Sequence, residues 1–302
     1  MTSATVARPV SVAVRGRPRI RPRRVLLYGF LTFMAAIWLF PLVWAIYTAL
    51  RPYADTQQHG YVSLATSLSI DNFVNAWNQA NIRQAYVNTA IVAVPGVIVT
   101  LLAASLVAFA LSRFSWRFNL LVLLLFTAGN LLPQQVIIVP LYRLYLLLPI
   151  PPPLSDNGLL YDQYVGITLI HIVFQTGFSV FVLSNYMKTL PQELMEAALV
   201  DGASVFRIWR SIVMPLCRPA LAALAILEFT FIYNDFFWAL MLMKTGDRRP
   251  ITASLQNLQG QFFIDTNLLA AGALLAAVPT IVVFFVLQRQ FVRGLTLGST
   301  KG

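Results

Sequence analysis

A few polar side chains sit inside long apolar runs, and they fall at helical spacing. His171, Gln175 and Ser179 stand at i, i+4 and i+8, an interval that puts three side chains on one helix face. Glu228 and Asp235 are seven apart in another run, about two turns along one face, with Asn234 and Trp238 close by. A third run carries Asn130, Gln134 and Gln135 around Pro133. Amides and hydroxyls both donate and accept hydrogen bonds, and aromatic rings offer apolar faces. Together these groups suit a polyhydroxylated solute such as a sugar. Ionisable groups within a membrane are costly and are functional candidates by default. Their competing role is to join helices by interhelical hydrogen bonds. Catalysis would need a nucleophile or an acid–base pair at one depth. Glu228 with Asp235 is the best such pair, and no base, metal motif or nucleophile elbow accompanies it. His59 is far from His171 in sequence, so no metal-ligand cluster forms. The chain therefore offers pathway residues, no catalytic residue and no metal site.

The elements that must position them are membrane helices. Of 302 residues, 58% are hydrophobic and 11% charged, against about 25% charged in a soluble domain. Too little polar sequence exists to cover a water-facing surface, so lipid is the solvent for much of the chain. Six apolar runs, at 25–50, 86–111, 118–142, 164–186, 216–243 and 268–288, each suffice to span. Prolines 41, 95, 133, 140 and 279 lie in or near them, which membrane helices tolerate because neighbours satisfy the freed carbonyls. The single cysteine, Cys217, excludes an intrachain disulfide and reads as a small packed residue.

The net charge is +11. Its distribution points to membrane topology rather than nucleic acid. Sixteen of the 22 Lys and Arg residues fall in the start up to Arg24, the 112–117 loop, the 187–215 loop with its flank, and the tail. The positive-inside rule places those segments, and so both termini, in the cytosol. The first apolar run is too long for a signal-peptide core and reads as an uncleaved helix. The organisation expected is a basic, disordered tail over 1–24 near lipid headgroups and a first helix with external loop over 25–85. A core over 86–289 and a cytosolic tail over 290–302 follow. Residues 149–153, PIPPP, predict a stiff polyproline-like elbow.

Residues 196–215 read EAALVDGASVFRIWRSIVMP. Pro191 fits a first helical turn, and Glu193 and Glu196 suit the positive helix end. Ala197 and Ala198 allow close approach, Gly202 permits a left-handed turn, and a second helix from Val205 ends at Pro215. The spacing Glu196-Ala197-Ala198, three residues, Gly202, nine residues, Ile212, one residue, then Met214-Pro215 resembles the EAA motif of ABC-importer permeases. Met214 stands where leucine is usual, a volume-conserving swap. The tail QRQFVRGLTLGSTKG, 288–302, looks like the QRYFVRGLTxGAVKG ending of carbohydrate importers. Asn88-Thr89 and the run Ala103 to Phe114 also match. The chain thus resembles, over roughly 70–302, the second permease subunit of the maltose-type carbohydrate-uptake family.

That resemblance implies an all-α type I transmembrane domain with six spans in a prokaryotic plasma membrane. It implies a homologous permease, two ATPase subunits, an extracytoplasmic solute-binding protein and a sugar substrate. The loop 187–215 would dock on the ATPase through Glu196, Ala197, Ala198, Asp201, Gly202 and Pro215, and Arg293 and Lys301 are candidate tail contacts. ATP and magnesium would bind the partner: no G-x-x-x-x-G-K-[ST] loop is present, so this chain is no ATPase and binds no cofactor. The alternative is a secondary transporter or channel subunit without an ATPase, a class that often shows inverted repeats.

Overall fold

The computed structural model describes residues 22–130, 132–260 and 264–296. Two compact units divide between Ala45 and Ile46. The first unit contains most of helix α1 (Pro22–Leu50), mostly apolar after Arg24, with Leu26, Trp38 and Phe40 exposed. The helix begins at Pro22, inside the tail expected over 1–24; residues 1–21 lie outside the described residues.

The second unit runs through α2 (Tyr53–His59), α3 (Asp71–Gln79), α4 (Ile82–Arg113), α5 (Asn119–Gly129), α6 (Gln134–Leu147) and α7 (Tyr164–Lys188). It continues with α8 (Glu193–Val200), α9 (Val205–Ile208), α10 (Met214–Leu216), α11 (Arg218–Tyr233), α12 (Phe237–Leu242), α13 (Ile251–Ser254) and α14 (Thr266–Thr296). Among the described residues every regular element is helical, with one isolated bridge between Pro149 and Leu159. This follows from the solvent: in hydrocarbon a helix satisfies its backbone polar groups within itself.

Among the described residues four helices are long and apolar enough to cross a membrane, and up to six spans result if each of two bent pairs counts as one. Two expected spans are interrupted. The run 118–142 comes as α5 and α6, bent by 93° across the break before Gln134. Pro133 is extended there, at φ −61° and ψ 128°. A proline lacks the donor that would continue the ladder. The run 216–243 comes as α11 and α12, separated by Asn234, Asp235 and Phe236. Glu228 and Asp235 therefore do not share two turns of one helix, because the helix ends between them.

Three apolar clusters hold the unit together. One joins α4 and α7 to the 195–224 segment through Ala104, Ala108, Leu183, Met187 and Val213. A second gathers Tyr145, Ile170, Trp238 and Leu242. The third packs Ala76, Ile82, Tyr233 and Ala271. Cys217 is fully buried in the first, a packed residue as its type suggested.

The elbow at 149–153 is partly as expected. Pro151 is polyproline-like at φ −64° and ψ 151°, but Pro152–Leu154 closes into a 3-10 turn. A proline is compatible with a first helical turn, where its missing N–H has no partner to lose.

The loop after α1 is ordered by one buried ion pair. Arg51 Nε donates to Asp55 Oδ2 at 2.5 Å, and its other nitrogens donate to Gly60 O, Ser63 O and Ser63 Oγ. Thr66 Oγ1 donates to Asp55 Oδ1. The Thr66 hydroxyl, then Arg51, lower the Asp55 pKa from 3.8 to about 2. A carboxylate depressed on folding stabilises the loop fully above its ordinary value, and that contribution disappears as pH falls through about 2. Amide exchange at residues 55–66, measured as slowing relative to the intrinsic pH-dependent rate, should therefore be equally slowed between pH 8 and 5 and lose that slowing below about 4. In Asp55→Asn it should be fast at neutral pH.

Candidate functional site

The breaks before α6 and before α12 open on the same space. A cavity of about 750 Å³ is lined from α7 by His171, Phe174, Gln175 and Phe178. Asn130, Pro133 and Gln134 line it from the first break, and Asn234, Asp235 and Trp238 from the second. The helical interval brought His171 and Gln175 to it, as the i, i+4 spacing required. Ser179, one turn further on, faces elsewhere.

Asp235 organises the second break. Its Oδ1 accepts from the Trp238 amide and its Oδ2 from the Ala239 amide, each at 3.1 Å. This caps α12, satisfying two N–H groups that the helix start leaves without partners. His171 Nε2 lies 3.5 Å from Asp235 Oδ2, both side chains nearly enclosed. Thr252 Oγ1 donates to the Asp235 carbonyl. Asn234 returns its amide to Thr230 O at 2.9 Å, closing the end of α11.

Glu228 is not at the cavity. It is fully buried on α11 and accepts from Ser179 Oγ on α7 at 2.6 Å, while its second oxygen has no partner. It is placed as an interhelical link. The cavity's aromatic residues were missed from the sequence, apart from Trp238. Phe174 and Phe178 each follow a selected polar residue by three positions, so the helical period contained that signal. Phe231, Phe236 and Phe237 depend on the break in α11–α12, which no period shows.

The 187–215 segment is a second candidate surface. Glu193 to Val200 form α8, with Pro191 just outside rather than in its first turn. Gly202 has φ +77° and open space where a Cβ would stand, so only backbone conformation selects glycine there. Ser204 caps α9, accepting from the Arg207 amide at 3.3 Å. Glu196, Ala197, Asp201 and Gly202 are exposed and Ala198 is half-buried. Leu194, Leu199, Val200 and Phe206 are exposed beside them. Met195, Ile208, Trp209 and Val213 point the other way, into the α4–α7 cluster. Pro215 does not stop the second helix. A π turn over Trp209–Val213 precedes it, α10 passes through it, and the 76° bend comes at Cys217. The wider turn displaces the carbonyl that a proline ring would strike.

Residues 96–297 match the family model described as "Binding-protein-dependent transport system inner membrane component". The chain belongs to that family. It is accordingly a multi-pass membrane protein and a transporter component. An arabinooligosaccharides transport system permease protein, AraQ of Halalkalibacterium halodurans, is 30% identical over 285 residues, 92% of this chain and 96% of that one. An alpha-glucoside transport system permease protein, AglG of Rhizobium meliloti, is 35% identical over 235 residues, 78% of this chain and 60% of that one. A chain of a bacterial ABC transporter crystal structure, involved in importing the acidic polysaccharide alginate, superposes with a TM-score of 0.71. It is 19% identical, with 93% of this chain and 100% of that one covered, and it shows the type I permease fold. Within this permease, Arg293 lies in the final turns of α14, its side chain undescribed, and Lys301 lies outside the described residues.

Close helix contact sets the cavity edge. A Cβ on Gly177 would stand 2.2 Å from both Asn130 Nδ2 and Phe126 O. Gly177→Ala should therefore displace the end of α5, destabilising the protein by about 1–3 kcal/mol as overpacking does. Thermal unfolding of the solubilised protein measures this, and an unchanged melting temperature would contradict the packing. Glu228→Gln keeps an oxygen acceptor for Ser179, so uptake should stay within about twofold of wild type. A loss beyond tenfold with normal assembly would put Glu228 in the pathway after all.

Proposed function

We infer that this chain is one of two permease subunits of an ATP-driven carbohydrate importer. It would pair with a homologous permease, two ATPases and an extracytoplasmic binding protein. The observation that carries the reading is the exposed EAA segment, presented outward while its apolar side is buried among the transmembrane helices. A small-residue helix and a left-handed turn make a compact docking element. Its anchors, Met195, Ile208 and Val213, would transmit ATPase closure to α4 and α7 as rigid-body motion.

Sugar as cargo is supported by the printed substrates of the relatives, arabinooligosaccharides and alpha-glucosides. The amides and aromatic rings of the cavity suit it chemically. Glu196, Ala197, Ala198, Asp201, Gly202 and Pro215 are assigned to ATPase coupling. Asn130, Gln134, His171, Gln175, Asn234, Asp235 and Trp238 are assigned to the pathway. ATP and magnesium belong to the partner. The positive charge at 1–24, 112–117, 187–218 and the tail supports a cytosolic location for both termini and the coupling segment, where Arg293 and Lys301 would reach the ATPases.

Affinity purification of the chain in mild detergent should bring down a Walker-A ATPase and a second permease. A stable chain that transports alone would overturn the importer reading. Gly202→Asp puts a side chain into a left-handed turn and a charge on the docking face. It should cut uptake more than tenfold at unchanged membrane level. Gly202→Asn, which tolerates that conformation, should lose less.

A further inference from the structure

We propose that Asn88 and Thr89 are positioning residues for transport: they fix the segment 244–252 so that a force applied to it reaches the helix break at Asp235. The proposal rests on the importer reading above and names how the binding protein would act on this chain.

Asn88 and Thr89 stand near the start of α4, and both side chains are buried. Asn88 uses its whole hydrogen-bonding capacity. Its Nδ2 donates to Asp247 O at 2.7 Å and to Arg249 O at 3.1 Å. Its Oδ1 accepts from the Tyr164 hydroxyl at 2.7 Å and from Gln84 Nε2 at 2.9 Å. Two donors and two lone pairs are all that a primary amide has. Thr89 Oγ1 accepts from the Ile251 amide at 2.9 Å and donates to Ala85 O at 2.8 Å. One dipeptide thus holds backbone groups at 247, 249 and 251, every second residue of the connection between α12 and α13. A polar residue that only joined helices would bond to another helix. Asn88 instead directs both donors at the connection.

The same segment is tied along its other edge. Asp162 accepts from the Lys244 and Thr245 amides at 2.8 and 3.0 Å, and from the Thr245 hydroxyl at 2.7 Å. Arg248 donates to Gln163 and pairs with Asp156. Lys244, Thr245 and Asp247 remain exposed, so the segment has a free outer face and an anchored inner one. One residue beyond the Ile251 amide, the Thr252 hydroxyl donates to the Asp235 carbonyl at the cavity break. A bonded path therefore runs from the exposed face through Asn88 and Thr89 to Asp235. Tyr164 is the first residue of α7, so the junction also joins α4 to α7, the helices on which the EAA segment packs at their other ends. A binding protein pressing on residues 244–247 would displace the break and both helices together, because hydrogen-bonded, close-packed groups pass on a shift instead of absorbing it.

The test uses the complete transporter in proteoliposomes. Its binding protein is loaded with whichever of maltotriose, raffinose or arabinotriose it binds. Thr89→Val keeps the branched shape and removes the acceptor for the Ile251 amide, while Thr89→Ser keeps that acceptor. Asn88→Asp keeps the acceptor oxygen and removes both donors. In Thr89→Val and Asn88→Asp, stimulation of ATP hydrolysis by the loaded binding protein should fall about tenfold, the effect of leaving one buried group unpaired. Basal hydrolysis and the half-saturating concentration of binding protein should stay within twofold of wild type, a split that a general loss of folded complex would not give. Thr89→Ser should return stimulation to within twofold. Hydrogen exchange in nanodiscs should be about tenfold faster at the Ile251 amide in Thr89→Val. Several results would overturn the positioning role and leave the importer reading intact: near-normal stimulation in both variants, a parallel fall in basal and stimulated rates, a change confined to half-saturation, or Thr89→Ser no better than Thr89→Val. A wild-type chain that assembles with no ATPase would overturn the importer reading itself.

Discussion

A backbone inside hydrocarbon must satisfy its own polar groups, because no water is there to do so. The rest of the structure depends on that constraint. Uninterrupted helices such as α4 and α7 meet it without help. Each interruption needs substitute partners, and at the second break they can be named. Asp235 caps α12 with both carboxylate oxygens, Thr252 takes the Asp235 carbonyl, and Asn234 closes α11. The polar residues that make the break tolerable are thus the ones that give the cavity its polarity. Site and scaffold share atoms, so a carboxylate that looks available in sequence is already occupied in the fold.

The same accounting separates Glu228 from the site. It is enclosed by α7 and α11 and hydrogen-bonded to Ser179. Interhelical polar contacts of this kind contribute modestly, because the alternative state also finds partners. Its position explains why two acids in one apolar run have unlike roles: one links helices inside packed surroundings, the other ends a helix at a cavity.

At the other candidate surface the constraint is packing. Met195, Ile208, Trp209 and Val213 are buried against α4 and α7, while Glu196, Ala197 and Gly202 face outward. Arg113 at the end of α4 donates to Met187 O and Leu190 O, joining that helix to the start of the segment. Close-packed interiors transmit displacement rather than absorb it. A push on the exposed face would therefore reach α7, which lines the cavity.

Much of this protein was determined by its sequence alone. Apolar length dictated membrane helices, the i, i+4 interval put His171 and Gln175 on one face, and the spacing from Glu196 to Pro215 marked an exposed helix and its glycine turn. These features are local, governed by helical period, side-chain size and backbone conformation. Where helices break was not legible. Proline at 133 breaks a span while proline at 95 is carried inside one, and no proline stands between Glu228 and Asp235. Nor did Pro215 end its helix, since a π turn accommodates it. Only the tertiary structure decided these outcomes. A break in lipid is stable when distant side chains, here Thr252 and His171, stand ready beside it, and which residues those are depends on how the helices pack.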